Sequence, residues 1–479
     1  ETVVCPKISI YLLPPSATAI VAFYASYAVG IAGISVLFSQ GFNLTFCTSM
    51  NTSHSNKITP DDLYSDYATE KVPESKTMGG WGIGMVNGAL AFAVPGLITG
   101  LELGGALSFS NALWAYFFGG FFLAVLGSVT GLVGRFNRLS SCMTMKFVFG
   151  VKGSSLLNLA FALSLLGWFG VNMDLFSSIV QSYAQELGMG SPGLWQIEFV
   201  AGVVMTLTTI CGFRIIEKLS SLLVPVMVLV ILYLLFQSLS IDSSLPAMQA
   251  STEALSVGEA ISAVVGSFIV SVVLMPDFTR FARSSGDALI SSFFPYLVLC
   301  TFVYVVATIA GAAVQSTDVV EVFLLLGLGS FGLMLMCVSS WLTNVVNLYS
   351  SSLAANSVFS NIKEWHLISI LGVLGTAVAS LNLLDRFIEF LFGLAIIFTP
   401  VAAIYIVDFF VLRNKRCYEL DELDQVPAIV WPAVMAWLFG VLVSLATSTE
   451  FFFISGVQAV DGLLATAVMY FLFSRHKRV

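Results

Sequence analysis

Trp168 and Asn172 stand one helical turn apart in the stretch ALSLLGWFGVNMDLFSS. Residues at i and i+4 of a helix share a face, so an indole plane and an amide are presented together. Such a pair suits a flat ligand: the ring stacks on it and the amide reads its edge. Packing within a helical core is the competing reading of the Trp. Asp174 projects from another face of the same stretch. An acid inside a membrane is by default a functional hypothesis, and Asp174 is the candidate proton site. A second polar island, SSWLTNVV at Ser339–Val346, interrupts a run of Leu, Met and Val. In a bilayer each of its polar groups needs a partner. In MPDFTRFAR, Asp277 and Arg280 are spaced to pair along a helix surface, as a structural anchor or a cytoplasmic gate.

The elements that must hold these residues are membrane helices. Hydrophobic residues make up 57% and charged residues 10% of 479, and mean hydropathy is +0.93. Soluble domains carry about 25% charged residues. The net charge of −8 sits in tails and loops, so no nucleic-acid partner is expected. Seven scattered Cys and three distant His suggest neither disulfide framework nor metal site.

A span needs about 20 apolar residues. Twelve such segments follow Trp81, at roughly 81–108, 111–134, 154–182, 193–212, 214–238, 256–276, 287–314, 323–357, 366–382, 385–410, 428–448 and 456–474. The even-numbered exits are basic, with Arg135, Arg138, Lys146 and Lys152 after the second and Arg413, Lys415 and Arg416 after the tenth. Of the opposite loops, only Arg386 breaks the alternation. The positive-inside rule then puts both ends of the unit in the cytoplasm. Residues 81–474 read as the transporter domain and 475–479 as a basic cytoplasmic tail. Residues 50–80 read as a flexible cytoplasmic tail, with Met50 the expected natural start. Residues 1–49 are an upstream segment or a genuine extra hydrophobic helix at Ala17–Phe38.

Two segments carry helix breakers. The first has Pro95-Gly96 at mid-span, and the sixth has Gly266-Ser267 at its centre and Pro276 near its inner end. Interrupted segments in matching positions of two halves point to an inverted-repeat transporter. The expected fold is therefore all-α: five plus five helices, broken at the first and sixth, plus two C-terminal helices.

FVFGVKGS (147–154), GWFGV (167–171), VVGSF (264–268), DFTRFAR (277–283) and WLTN (341–344) occur in this order. Together they resemble the bacterial cytosine permeases, members of a family of nucleobase–cation symporters. The likeness runs from about residue 78 to the C-terminus. It implies alternating access and a base sandwiched between Trp168 and Phe268, with Gly266 and Ser267 offering hydrogen bonds at the helix 6 break. It puts Ser339 where the cytosine permeases have Asn. It also implies a sodium site built from the carbonyls of Ala89, Ala93 and Ser339 and two hydroxyls. Thr343 supplies one of these; Leu342 stands where the other belongs, so coupling is to sodium, weakly, or to protons.

The leading expectation is a secondary transporter, not an enzyme, that imports a cytosine-like pyrimidine or a purine by cation symport. It would work as a monomer in the plasma (inner) membrane, its partners a small molecule and the lipid bilayer, with no cofactor. Import of a vitamin precursor such as hydroxymethylpyrimidine is the alternative within the class. A channel or membrane sensor is the alternative outside it.

Overall fold

The computed structural model describes residues 70–186, 193–211, 213–241, 255–359, 361–449, 451 and 454–475. The expectations about residues 1–69 and about the basic end from 476 lie outside the described residues. Within them the chain is helical, with one isolated bridge between Met78 and Ala282 and no strand.

The first apolar segment is two helices, α1 (Gly80–Gly88) and α2 (Val94–Ala106), bent by 59° at a break. There follow α3 (Phe109–Asn137), a short α4 (Ser141–Phe149), α5 (Val151–Glu186), α6 (Leu194–Cys211) and α7 (Phe213–Ile241). The second half begins with α8 (Val257–Val273), α9 (Met275–Thr279), α10 (Ser285–Phe293), α11 (Thr301–Val314) and α12 (Val319–Leu325). It closes with α13 (Gly329–Asn356), α14 (Glu364–Ala379), α15 (Phe387–Ile406), α16 (Trp431–Ser448) and α17 (Gln458–Arg475). A π-helical turn, Phe294–Cys300, joins α10 to α11, and another, Val407–Leu412, extends α15. Among the described residues six helical stretches are long and apolar enough to cross a membrane, or seven with the bent pair, and four more apolar helices are shorter. A multi-pass helical membrane protein follows.

Local chemistry sets the ends. Ser108 and Ser140 accept the amides of Asn111 and Met143, and Ser256–Glu259 and Ser284–Asp287 form reciprocal capping boxes. The expected span 323–357 is divided. The helix α12 ends at Leu325, and Gly327 and Gly329 adopt φ of +84° and +50°, which glycine tolerates without Cβ strain. The expected flexible tail is fastened in its last part. The Val72 amide donates to the Arg138 carbonyl at 3.0 Å, Lys71 pairs with Glu419 at 2.6 Å, and Met78 exchanges backbone hydrogen bonds with Phe281 and Arg283.

Candidate functional site

The first span is interrupted between α1 and α2. After α1, Ala89–Phe92 form a 3-10 turn; Ala93 is extended, at φ −71° and ψ 156°, and α2 restarts with Pro95 as its second residue. Proline there needs no amide partner and is pre-set for a helical first turn. Ala89 and Ala93 are half-buried at the two ends of this break. On α13 the Thr343 hydroxyl donates to the Ser339 carbonyl at 2.9 Å. The two oxygens thus present one edge, of the kind a hard cation takes. The neighbouring Leu342 is buried at 5% exposure and has no oxygen to offer.

On α5 the half-buried Trp168 meets Phe390 edge-on at 5.2 Å and Phe387 at 6.0 Å. Asn172 is fully buried; its Nδ2 donates to the Trp168 carbonyl at 2.8 Å, and its Oδ1 finds no partner among the described residues. The Phe268 ring is buried on α8 and packs at 5.9 Å against Tyr296. Among the described residues the Trp168 and Phe268 rings do not touch each other.

The sixth span corrects the expected position of its break. Gly266 and Ser267 lie inside α8, which is unbroken to Val273; the interruption is at Leu274, and α9 restarts with Pro276 second. A Cβ on Gly266 would run into the backbone of Leu391 on α15. The glycine therefore permits close packing and does not loosen the helix. Ser267 bonds to the Val264 carbonyl at 2.7 Å and to the Tyr304 hydroxyl at 2.8 Å.

That last contact belongs to polar chemistry that sequence reasoning missed. Ser271, one turn beyond Ser267, donates to Asn87 Oδ1 at 2.8 Å and meets the Tyr296 hydroxyl at 2.9 Å. Tyr116 and Thr308 meet at 2.7 Å, and both hydroxyls lie within hydrogen-bond reach of the Gly100 carbonyl, which accepts from one of them while the other is donated between the pair. Spans 1, 2, 6 and 7 are thus stitched together by hydroxyls on either side of Phe268. The available signal was the i, i+4 spacing of Ser267 and Ser271.

Asp174 is 8% exposed; its Oδ2 accepts the Leu384 amide at 3.1 Å, and Oδ1 is unpartnered. Asp277 accepts the Ser141 amide at 2.8 Å and so anchors α4, while Arg280 Nε donates to the Asp277 carbonyl at 3.1 Å. Asp408 is buried, taking the hydroxyls of Tyr418 at 2.6 Å and Tyr470 at 2.8 Å. Beside it, partial burial opposes the charge of Glu422, but Arg413 and Arg416 prevail and hold its carboxyl below the usual range.

An interrupted apolar helix and a buried, open amide oxygen inside a bundle of apolar helices are the features of a multi-pass membrane protein with a polar interior. Comparison makes the class specific. The family described as permease for cytosine/purines, uracil, thiamine, allantoin matches residues 71–468, and the chain belongs to it. The cytosine permease of Escherichia coli (strain K12) is 27% identical over 411 residues, covering 85% of this chain and 94% of that one. An inward-facing conformation of Mhp1 superposes with a TM-score of 0.75 at 18% identity, covering 85% of this chain and 92% of the other. A closed conformation of the same nucleobase-cation-symport-1 transporter with bromovinylhydantoin bound gives 0.68 at 20% identity, covering 85% and 95%. At these identities the two structural likenesses carry the fold. The chain is a membrane permease with that fold.

Proposed function

We propose that this permease imports a planar nucleobase, a pyrimidine or purine, together with a cation by alternating access. The observation that carries the reading is the Asn172 amide beside Trp168. Its donor is committed to the helix and its buried acceptor is open, which is costly unless a ligand donates to it. The names of the relatives agree: one is a cytosine permease and another binds a hydantoin. Trp168 and Phe268 are the two faces of the stack, Gly266 lies beside them, and Ser267 and Ser339 meet the edges of the base. Import of hydroxymethylpyrimidine is the second reading, favoured by Ser339: a hydroxyl at this position reads a different edge from the amide of the cytosine permeases.

The coupling ion in this reading is sodium, bound weakly by the carbonyls of Ala89, Ala93 and Ser339 and the hydroxyl of Thr343. Asp174 is the proton site of the alternative. The architecture in this reading is twelve spans, five plus five inverted and two more, acting as a monomer with a cytoplasmic C-terminus. The test is a thermal-stability screen of the purified protein against cytosine, uracil, adenine and hydroxymethylpyrimidine, followed by binding to Trp168→Ala and Phe268→Ala. Stacking is worth about 1–3 kcal/mol per base, so each variant is expected to bind about tenfold more weakly or worse. Unchanged affinity in both, with normal expression, returns the two rings to core packing.

A further inference from the structure

The flank formed by α6 and α14 carries a groove of about 460 Å³. Its floor is a reciprocal glycine–threonine contact. A Cβ on Gly202 of α6 would run into Thr376 of α14, and one on Gly372 of α14 would run into Thr206 of α6. Each threonine hydroxyl donates to the glycine carbonyl one turn earlier on its own helix, Thr206 to Gly202 at 2.7 Å and Thr376 to Gly372 at 2.8 Å. The hydroxyls are therefore spent, and the small residues let the two helices approach closely, as membrane helices do. The walls are apolar and face out of the bundle: Phe199, Val203 and Leu207 on α6 and Val373 on α14 are all exposed.

One acid stands in this apolar wall. Glu198 lines the groove and is 7% exposed. It has no hydrogen bond or ion pair among the described residues. Its carboxylate is not sealed from the surface, and the groove is the space it opens on. Among the described residues no Lys, Arg or His lines the groove. Glu198 also stands within electrostatic reach of Asp174 on α5, whose Oδ1 is itself unpartnered. Two acids at a lipid-facing wall are costly unless a positive group joins them. Trp195, one turn before Glu198 and 68% exposed, puts an indole at the same end of the groove. Such rings settle at the membrane interface and attract ammonium groups to their faces. From Trp195 to Ile210 the groove follows α6 for fifteen residues, about 22 Å. That is longer than the hydrocarbon of one leaflet, about 15 Å.

We propose that this groove binds a phospholipid with a primary ammonium headgroup, phosphatidylethanolamine. The ammonium donates to Glu198 beside the Trp195 indole, and one acyl chain lies along Phe199, Val203, Leu207 and Val373. The phosphate stays in the headgroup region, where water solvates it. Occupancy supplies the counter-charge that Glu198 does not find within the protein, next to the helix that carries Trp168 and Asp174.

The test is native mass spectrometry of the purified full chain titrated with dioleoyl phosphatidylethanolamine, its N-acetylated form, phosphatidylcholine and phosphatidylglycerol. The N-acetylated lipid keeps the chains and the phosphate and lacks the ammonium. Phosphatidylethanolamine should bind about tenfold more tightly than it does, the scale of one charged hydrogen bond. Glu198→Gln should remove that margin, and Trp195→Ala should narrow it about threefold. A damaged fold would weaken all four lipids alike, so the margin is the readout. Should Glu198→Gln not fold, Val203→Trp, which fills the groove from its exposed wall, must remove the margin instead. No margin in the wild type, a margin that persists in Glu198→Gln or Val203→Trp, or phosphatidylcholine matching phosphatidylethanolamine would overturn the proposal. So would a lipid-free dimer, which would assign the groove to a second copy of the chain.

Discussion

The first and sixth spans are interrupted by the same device and yet differ in depth and consequence. In both, the helix restarts with proline as its second residue: Pro95 in α2 and Pro276 in α9. Proline lacks the amide that would continue the ladder and is tolerated in a helix's first turn, so each break falls just upstream, at the residue two before it. In the first span the result is a 3-10 turn and an extended Ala93, with a 59° bend. In the sixth it is a single residue, Leu274, at φ −84° and ψ 6°. The Gly266-Ser267 pair breaks nothing, because Gly266 is held against the Leu391 backbone and the Ser267 hydroxyl is bonded. In these two spans, then, a proline at the second position of the restarted helix marks where backbone is released, while Pro225 and Pro400 sit inside continuous helices, and Gly266 marks where another helix comes close.

The largest expected effect tests that division of labour. Gly266→Ala should cost about 1–3 kcal/mol, the usual range for overpacking. Gly393→Ala, where an added Cβ meets nothing within 4 Å, should be neutral or stabilising, since alanine is the better helix former. Thermal midpoints in detergent compare the two; a tolerated Gly266→Ala would break the contrast.

An intermediate effect separates the two prolines. Pro95→Ala supplies the missing amide and lets the first span close over Ala89–Ala93. One backbone hydrogen bond nets about 1 kcal/mol, so half-saturation by sodium in proteoliposome uptake should rise about fivefold. Pro276→Ala should leave sodium dependence near wild type. Equal shifts in both would mean that the breaks act together.

The smallest effect sharpens the proposed sodium chemistry on α13. Leu342→Thr adds a hydroxyl beside Thr343 and should lower sodium half-saturation about threefold, the scale of one modest polar contact. If uptake is instead driven by a pH gradient alone and abolished by Asp174→Asn, the sodium assignment fails.

Much of the candidate site was legible because it depends on spacing along one helix. Trp168 and Asn172 share a turn of α5, and Ser339 and Thr343 share one of α13. The same logic missed contacts between helices. Nothing in the local pattern shows that Asn87, Ser271 and Tyr296 meet, or that Asp408 is buried beneath two tyrosines. The edge-on packing of Trp168 against Phe387 and Phe390 was likewise hidden, since those rings lie more than 200 residues away.

By itself, the sequence determined that this chain is a helical, multi-pass membrane protein, because transfer into hydrocarbon is a property of each segment's composition. It also pointed to the first and sixth spans as interrupted, because helix breakers act locally, although Pro225 and Pro400 sit inside continuous helices. Tertiary structure alone decided where the sixth span breaks, what Gly266 is for, and which acid opens on the groove between α6 and α14. Those outcomes depend on which surfaces meet across the bundle, and helix-to-helix packing joins residues that no periodicity relates.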